Sequence, residues 1–169
     1  MLASQASIGR AFSTQPSSMR VGFGAINKGS TTVDGSAAST VIRGVRPFSG
    51  TSRDNFYTEL YEGDWEPANT PLRRALDDVG QYFSRTSNLG PWGATPGTEN
   101  ATPHLTCRQS YAILMTDGYW TDNDASRAST TAARANVDGA AGTAITEAGP
   151  PPQSFTYTPS TPFTDLHAN

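Results

Sequence analysis

The stretch CRQSYAILMTDGYW, residues 107–120, decides how the rest of the chain is read. It holds a continuous apolar run of strand length, Tyr111 to Met115, which stops abruptly at Thr116-Asp117-Gly118. A short, wholly apolar strand is expected at the buried centre of a parallel sheet, where both faces are covered. Such sheets place ligands just beyond the carboxyl ends of their strands. Asp117 would stand there, either as a cap and turn residue or as an acid aimed into a crevice.

Working outward, two strands and three helices are expected. Thr70 is expected to cap a helix with Pro71 at its first position. Leu72, Ala75, Leu76, Val79, Tyr82 and Phe83 then repeat at helical spacing. Arg73, Arg74, Asp77 and Asp78 read as the solvated face. Residues 2–12 and 53–61 carry weaker helical patterns. Met19 to Asn27 alternates like a strand, with glycines at 22 and 24, and Val41 to Phe48 reads as a second strand, a candidate antiparallel neighbour. Residues 28–40 are expected to be a polar loop of small residues. Residues 84–106 form a long loop in which Pro91-Trp92-Gly93 suggests a tethered aromatic. Residues 121–135 are a weak helix or a loop, and 149–169 an extended, Pro-rich tail. The whole, residues 1–169, is expected to be a single α/β domain.

Composition excludes several functions. The 169 residues carry a net charge of −3, too little positive charge for non-specific nucleic-acid binding. No apolar run approaches the roughly 20 residues of a membrane helix. The N-terminal residues lack the pattern of a secretory signal, which taken alone would leave the chain in the cytoplasm. A single cysteine, Cys107, forms no internal disulfide and reads as a plain thiol. Gly22-Phe23-Gly24 fails as a dinucleotide fingerprint because it lies inside a strand. His104 and His167 have no nucleophile motif and read as surface residues. Asp122, Asp124 and Ser126 have calcium-loop spacing but lack its glycine and closing glutamate.

Thr70 and Asp117 remain. Each stands at a helix start or strand end. A hydroxyl and a carboxylate converging at one sheet edge are hard oxygen ligands for magnesium, manganese or calcium.

MRVGFGAIN, TPLRRALDDVGQYFSRT, PWGATPGT and CRQSYAILMTDGYW together resemble the von Willebrand factor A-like region of type IV pilus assembly and tip-adhesin proteins of the PilY type. The resemblance implies a doubly wound sheet with flanking helices, and a place at the pilus tip or cell surface. It implies contacts with pilus components such as minor pilins and with host or abiotic surfaces. It also implies a metal-dependent adhesion site in which Thr70 matches the ligand threonine and Asp117 the ligand aspartate. The first ligand loop of that family, Asp-x-Ser-x-Ser, is absent from these residues. Residues 2–12 match the helix that follows it, so the first strand and its loop are expected to lie outside this sequence, as is the family's calcium-binding propeller. Cys107 could then find its partner outside the fragment. A magnesium or calcium ion is accordingly expected in a longer parent and weakly or not at all here. The function expected is a non-enzymatic adhesion and assembly module. An inactive structural fragment and an α/β enzyme using Asp117 are the alternatives.

Overall fold

The computed structural model describes residues 2–63, 69–99, 109–116, 118–121, 141–142, 144–147, 151–156 and 158–160. The chain divides into two compact units, Met1–Thr131 and Ala132–Asn169.

In the first unit the order is α1 (Leu2–Ser13), β1 (Arg20–Gly24), β2 (Thr31–Val33), β3 (Ser36–Ala38), β4 (Val41–Pro47), α2 (Gly50–Glu62) and α3 (Leu72–Phe83). β1 and β4 pair antiparallel, from Arg20 opposite Pro47 to Gly24 opposite Val41, with register shifts on either side of Phe23. Both expected strands are thus present, and they pair antiparallel, as a connection of this length allows.

Between them the structure corrects the expectation of a plain loop at 28–40. β2 and β3 form a tight hairpin closed by Asp34-Gly35, with Val33 opposite Ser36. Both turn residues have positive φ, 51° and 77°, which is the requirement of a type I′ turn. Asp tolerates that conformation through its short polar side chain, and Gly has no Cβ to oppose it.

Two apolar clusters hold the unit. One gathers Phe48, Phe56 and Leu60, with Ile8, Phe12, Val21, Phe23 and Tyr57 packed around them. It joins α1 and α2 to β1. Phe56 lies at its centre, 4.8 Å from Phe12, 5.7 Å from Phe23 and 5.3 Å from Phe48 between ring centroids. The other gathers Val33, Ala38, Val41 and Tyr82, with Val45, Val79 and Phe83, and joins α3 to the hairpin and β4. The β1–β4 pair therefore contributes apolar side chains to both clusters.

α3 departs from its expected pattern in three ways. Thr70 is not its cap. Pro71 takes that position without a side-chain bond, and the Thr70 carbonyl instead accepts the Leu72 N–H. Leu76 is exposed, whereas Asp78 is buried. Asp78 is therefore no part of a solvated face. Its carboxylate accepts the backbone N–H groups of Ser39, Thr40 and Val41 at 3.1, 2.8 and 3.3 Å.

The long loop is ordered where it is described, residues 84–99, and Trp92 is tethered as expected. Its Nε1 donates to the Phe83 carbonyl at 2.6 Å. The guanidinium of Arg20 donates to the carbonyls of Pro91, Gly93 and Ala94. A single β1 cation thereby gathers three loop carbonyls.

The described residues do not form the expected central strand. Tyr111 to Met115 is neither a strand nor buried. Tyr111 and Ile113 are each 78% exposed, Leu114 45% and Met115 51%. Among the described residues there is no parallel pairing; the sheets are three antiparallel pairs. Apolarity on both faces requires neighbouring strands to cover it, and no described strand pairs with this one. The doubly wound sheet is therefore not formed by the described residues, which make a mixed helix and strand fold with short antiparallel sheets.

In the second unit, β5 (Ile145–Glu147) and β6 (Gln153–Phe155) form an antiparallel pair, Ile145 opposite Phe155. The expected extended tail thus contributes a paired strand.

Candidate functional site

Thr70 and Asp117 were the residues expected to converge, and the structure places one of them. The Thr70 N–H donates to Thr121 Oγ1 at 2.8 Å, and the Thr121 N–H donates to the Thr70 carbonyl at 2.9 Å. This reciprocal pair fixes the chain just beyond Asp117 to the start of α3. The Arg73 guanidinium lies 5.7 Å from the Trp120 ring centroid, a cation–π contact on the same junction. Asn27, after β1, donates its side-chain amide to the Asn69 carbonyl. Three chain segments thus meet at Asn69-Thr70. Asp117 itself lies outside the described residues, as do Cys107, His104, His167, Asp122, Asp124 and Ser126. No group of three or more acidic, histidine or cysteine side chains suited to a metal occurs among the described residues.

A second polar centre was not anticipated. Arg46 donates through both terminal nitrogens to the two oxygens of Asp34. The Tyr82 hydroxyl donates to Asp34 Oδ2 at 2.7 Å and accepts the Val45 N–H at 2.9 Å. The Asp34 side chain is only 3% exposed, and Tyr82 is 1% exposed. Gly44 makes the room: a Cβ there would collide with the Asp34 carboxylate and the Tyr82 hydroxyl. The signal for Asp34 was present in the sequence, as an Asp-Gly pair between Thr31-Thr32-Val33 and Ser36-Ala37-Ala38. Nothing in the sequence alone marked Arg46 or Tyr82 as its partners.

This centre borders an open cleft of about 310 Å3, with Val21, Phe23 and Phe56 among its apolar lining and Arg43, Ser52 and Asn55 among its polar lining. The chemistry of the centre is structural. Asp34 is held by three charge-assisted or hydroxyl donors, so it is poorly placed to act as a base. Arg43 at the cleft is paired with Glu59 at 2.7 Å.

Burial, then the hydrogen bond and charge of Asp34, push the Tyr82 phenol well above its usual value of 10, against weaker opposing effects of the Val45 N–H and Arg46. A raised folded-state pKa gives stability that is complete below the unfolded phenol's pKa and lost as pH rises above it. Stability is therefore expected to fall by up to about 1.4 kcal/mol per pH unit above roughly pH 10 from this group. Tyr82→Phe should remove that part of the slope in urea titrations from about pH 9 to about pH 11.5, a window spanning the free phenol's value. It should also cost about 1–2 kcal/mol at neutral pH, because Asp34 and the Val45 N–H each lose a partner.

Comparison with known proteins gives one consistent result. Over 167 residues the chain is 34% identical to the type IV pilus biogenesis factor PilY1 of Pseudomonas aeruginosa strain PAO1, covering 97% of this chain. Over 168 residues it is 30% identical to PilY1 of strain PAK, covering 99% of this chain. The chain is homologous to type IV pilus biogenesis factors. It spans 13% of the length of either PilY1. No family model and no solved structure matches. Set beside PilY1, the chain is a segment-sized homologue matched along nearly its whole length. No helix among the described residues is long and apolar enough to cross a membrane.

Proposed function

We propose that this chain is a non-enzymatic module of a type IV pilus protein, serving pilus assembly and surface attachment at the pilus tip or cell surface. The observation that carries the reading is similarity to PilY1 along 97–99% of the chain. Its partners are pilus components, including minor pilins, and a host or abiotic surface. The polar centre supports a structural rather than catalytic role, since its carboxylate already accepts three hydrogen bonds from Arg46 and Tyr82.

Within this reading, Thr70 and Asp117 are two ligands of a von Willebrand A-type adhesion site for magnesium or calcium. The Thr70–Thr121 pair supports it by holding the chain next to Asp117 at the start of α3. Two hard oxygen ligands fall short of the roughly six to eight that these ions take. Calorimetry with magnesium or calcium is therefore expected to show weak binding or none. Micromolar affinity abolished by Asp117→Ala would overturn the incomplete-site argument. A doubly wound sheet would need Tyr111–Met115 between paired strands, which the described residues do not supply, so the proposal rests on the junction at Thr70 and not on that sheet.

The module's role is tested by exchange. This chain replaces the matching segment of PilY1 in Pseudomonas aeruginosa, and surface pili are counted after shearing. Restored piliation, absent when the segment is deleted, is the expected result. A chimaera produced and secreted at the level of the parent but giving no pili would sink the assembly role.

A further inference from the structure

Residues 87–97 of the long loop are tied both to themselves and to the strand pair. Inside the stretch, the Gly90, Gly93 and Gly97 N–H groups donate to the carbonyls of Ser87, Gly90 and Leu89 at 2.9, 3.3 and 2.8 Å. Gly90, Pro91, Gly93 and Pro96 are buried. From outside, two strand arginines reach it. Arg20 sends one terminal nitrogen to the Pro91 and Gly93 carbonyls, at 3.3 and 2.8 Å, and the other to the Ala94 carbonyl at 2.7 Å. Arg46 lies against Gly97, where a Cβ would collide with its guanidinium. Gly97 also has a φ of 82°, so close approach and left-handed backbone both call for glycine there.

The two arginines act from different sides. In the β1–β4 ladder Arg20 stands opposite Pro47, and Val21 opposite Arg46. Successive residues of a strand face opposite ways, and directly opposed residues share a face. The Arg20 and Arg46 side chains therefore leave the pair on opposite faces, and the loop is gripped around the end of the ladder. The second grip is itself fixed, because Asp34 holds Arg46 through both carboxylate oxygens. In the same turn, a Cβ at Gly35 would press on Leu89. Trp92 secures a third point, with its Nε1 on the Phe83 carbonyl and its ring centroid 5.8 Å from that of Phe83. A guanidinium suits the first grip: it is planar and carries five N–H donors, enough for several carbonyls at once, whereas an ammonium acts as a compact point charge.

We propose that residues 87–97 are a strap that opens and closes as one unit on the β1–β4 pair, with Arg20 as its clasp and the Gly97–Arg46 contact as its second hold. None of its residues belongs to the apolar cluster around Phe56. A segment secured by a few polar contacts opens at lower free energy than the core. Opening releases all three carbonyls from Arg20 together and bares Trp92 with the Phe83 ring beneath it. The strap is thus a cover over the last turn of α3 that lifts without unfolding the helices and strands it rests on. This proposal does not depend on the cation site or on the pilus role.

Amide hydrogen exchange, read residue by residue by NMR on the whole chain, tests it. In the parent, the Gly90, Gly93 and Gly97 amides are expected to exchange together and faster than the Leu60 amide of α2. Their exchange should also rise less steeply with added urea, because opening the strap exposes less surface than unfolding. Arg20→Ala should speed all three by about 10–100-fold, the effect of losing hydrogen bonds to a charged donor. Arg20→Lys should recover less than half of that change on a logarithmic scale. Gly97→Ala works at the other hold, touches no Arg20 bond, and should still speed the Gly90 and Gly93 amides. Three results each overturn the proposal: strap amides that track Leu60 in rate and urea dependence in the parent chain, strap amides unmoved by Arg20→Ala, or a Gly97→Ala effect confined to the Gly97 turn. The urea comparison needs no substitution, so it decides the matter even where a variant loses stability throughout.

Discussion

Phe56→Ala is expected to cost about 4 kcal/mol of folding stability, within the range for truncating a buried phenylalanine. The ring touches Phe12 of α1, Phe23 of β1 and Phe48 after β4. Its removal opens a void that none of these can close without moving a separate element. A domain this size has total stability of roughly 5–15 kcal/mol. The variant should therefore be partly unfolded at 37 °C, and its urea midpoint sharply lower. Phe56→Leu retains most of the volume and should lose only about 1–1.5 kcal/mol. If both substitutions cost the same small amount, the α1–α2–β1 cluster is not the centre of the fold.

Asp78→Ala is expected to cost about 3 kcal/mol, although the site is a surface-patterned position in a helix. The carboxylate accepts three backbone N–H groups entering β4, two of them in buried bonds. Leaving a buried donor without a partner costs about 1–3 kcal/mol, and bonds to a charged acceptor sit at the high end. Alanine is the better helix former by roughly 0.5 kcal/mol, so the measured loss understates the lost bonds. Asp78→Asn keeps one oxygen but turns an amide donor toward N–H groups, and should recover less than half of the loss. Equilibrium unfolding in urea checks both. A near-neutral Asp78→Ala would mean that the 39–41 backbone finds other acceptors.

Asp78 also shows where sequence reasoning stopped. Its neighbours Arg74 and Asp77 sit at spacings that suggest a charged face, and that local explanation was sufficient. The partners of Asp78 are thirty-seven to thirty-nine positions away, and no periodicity reports a contact of that range. The helices at 2–12, 53–61 and 72–83, and the β1–β4 pairing, were legible because each rests on local pattern. The Asp34-Gly35 hairpin was legible in principle, from a turn pair flanked by small and β-branched residues, and was passed over as a polar loop. Tyr111–Met115 failed for the opposite reason. Its composition specifies a covered strand, but composition cannot say whether neighbours exist. For the site, Thr70 was expected as a cap and a cation ligand; the cap position falls to Pro71, and Thr70 pairs with Thr121. Thr121, its actual partner, carried no signal, since a lone threonine after an aromatic pair has many ordinary roles.

The nesting of one hairpin inside another has a consequence for the order of folding. β2 and β3 lie wholly within the connection between β1 and β4. A two-residue turn closes on a timescale of roughly 1–10 µs. Once it has closed, the span that β1 and β4 must bridge is shorter, and the entropy of closing it is smaller. Asp78 and Tyr82 then dock onto an already narrowed loop. The small Asp-Gly turn thus acts early, as a device that brings distant strands within reach before the apolar clusters exist to hold them.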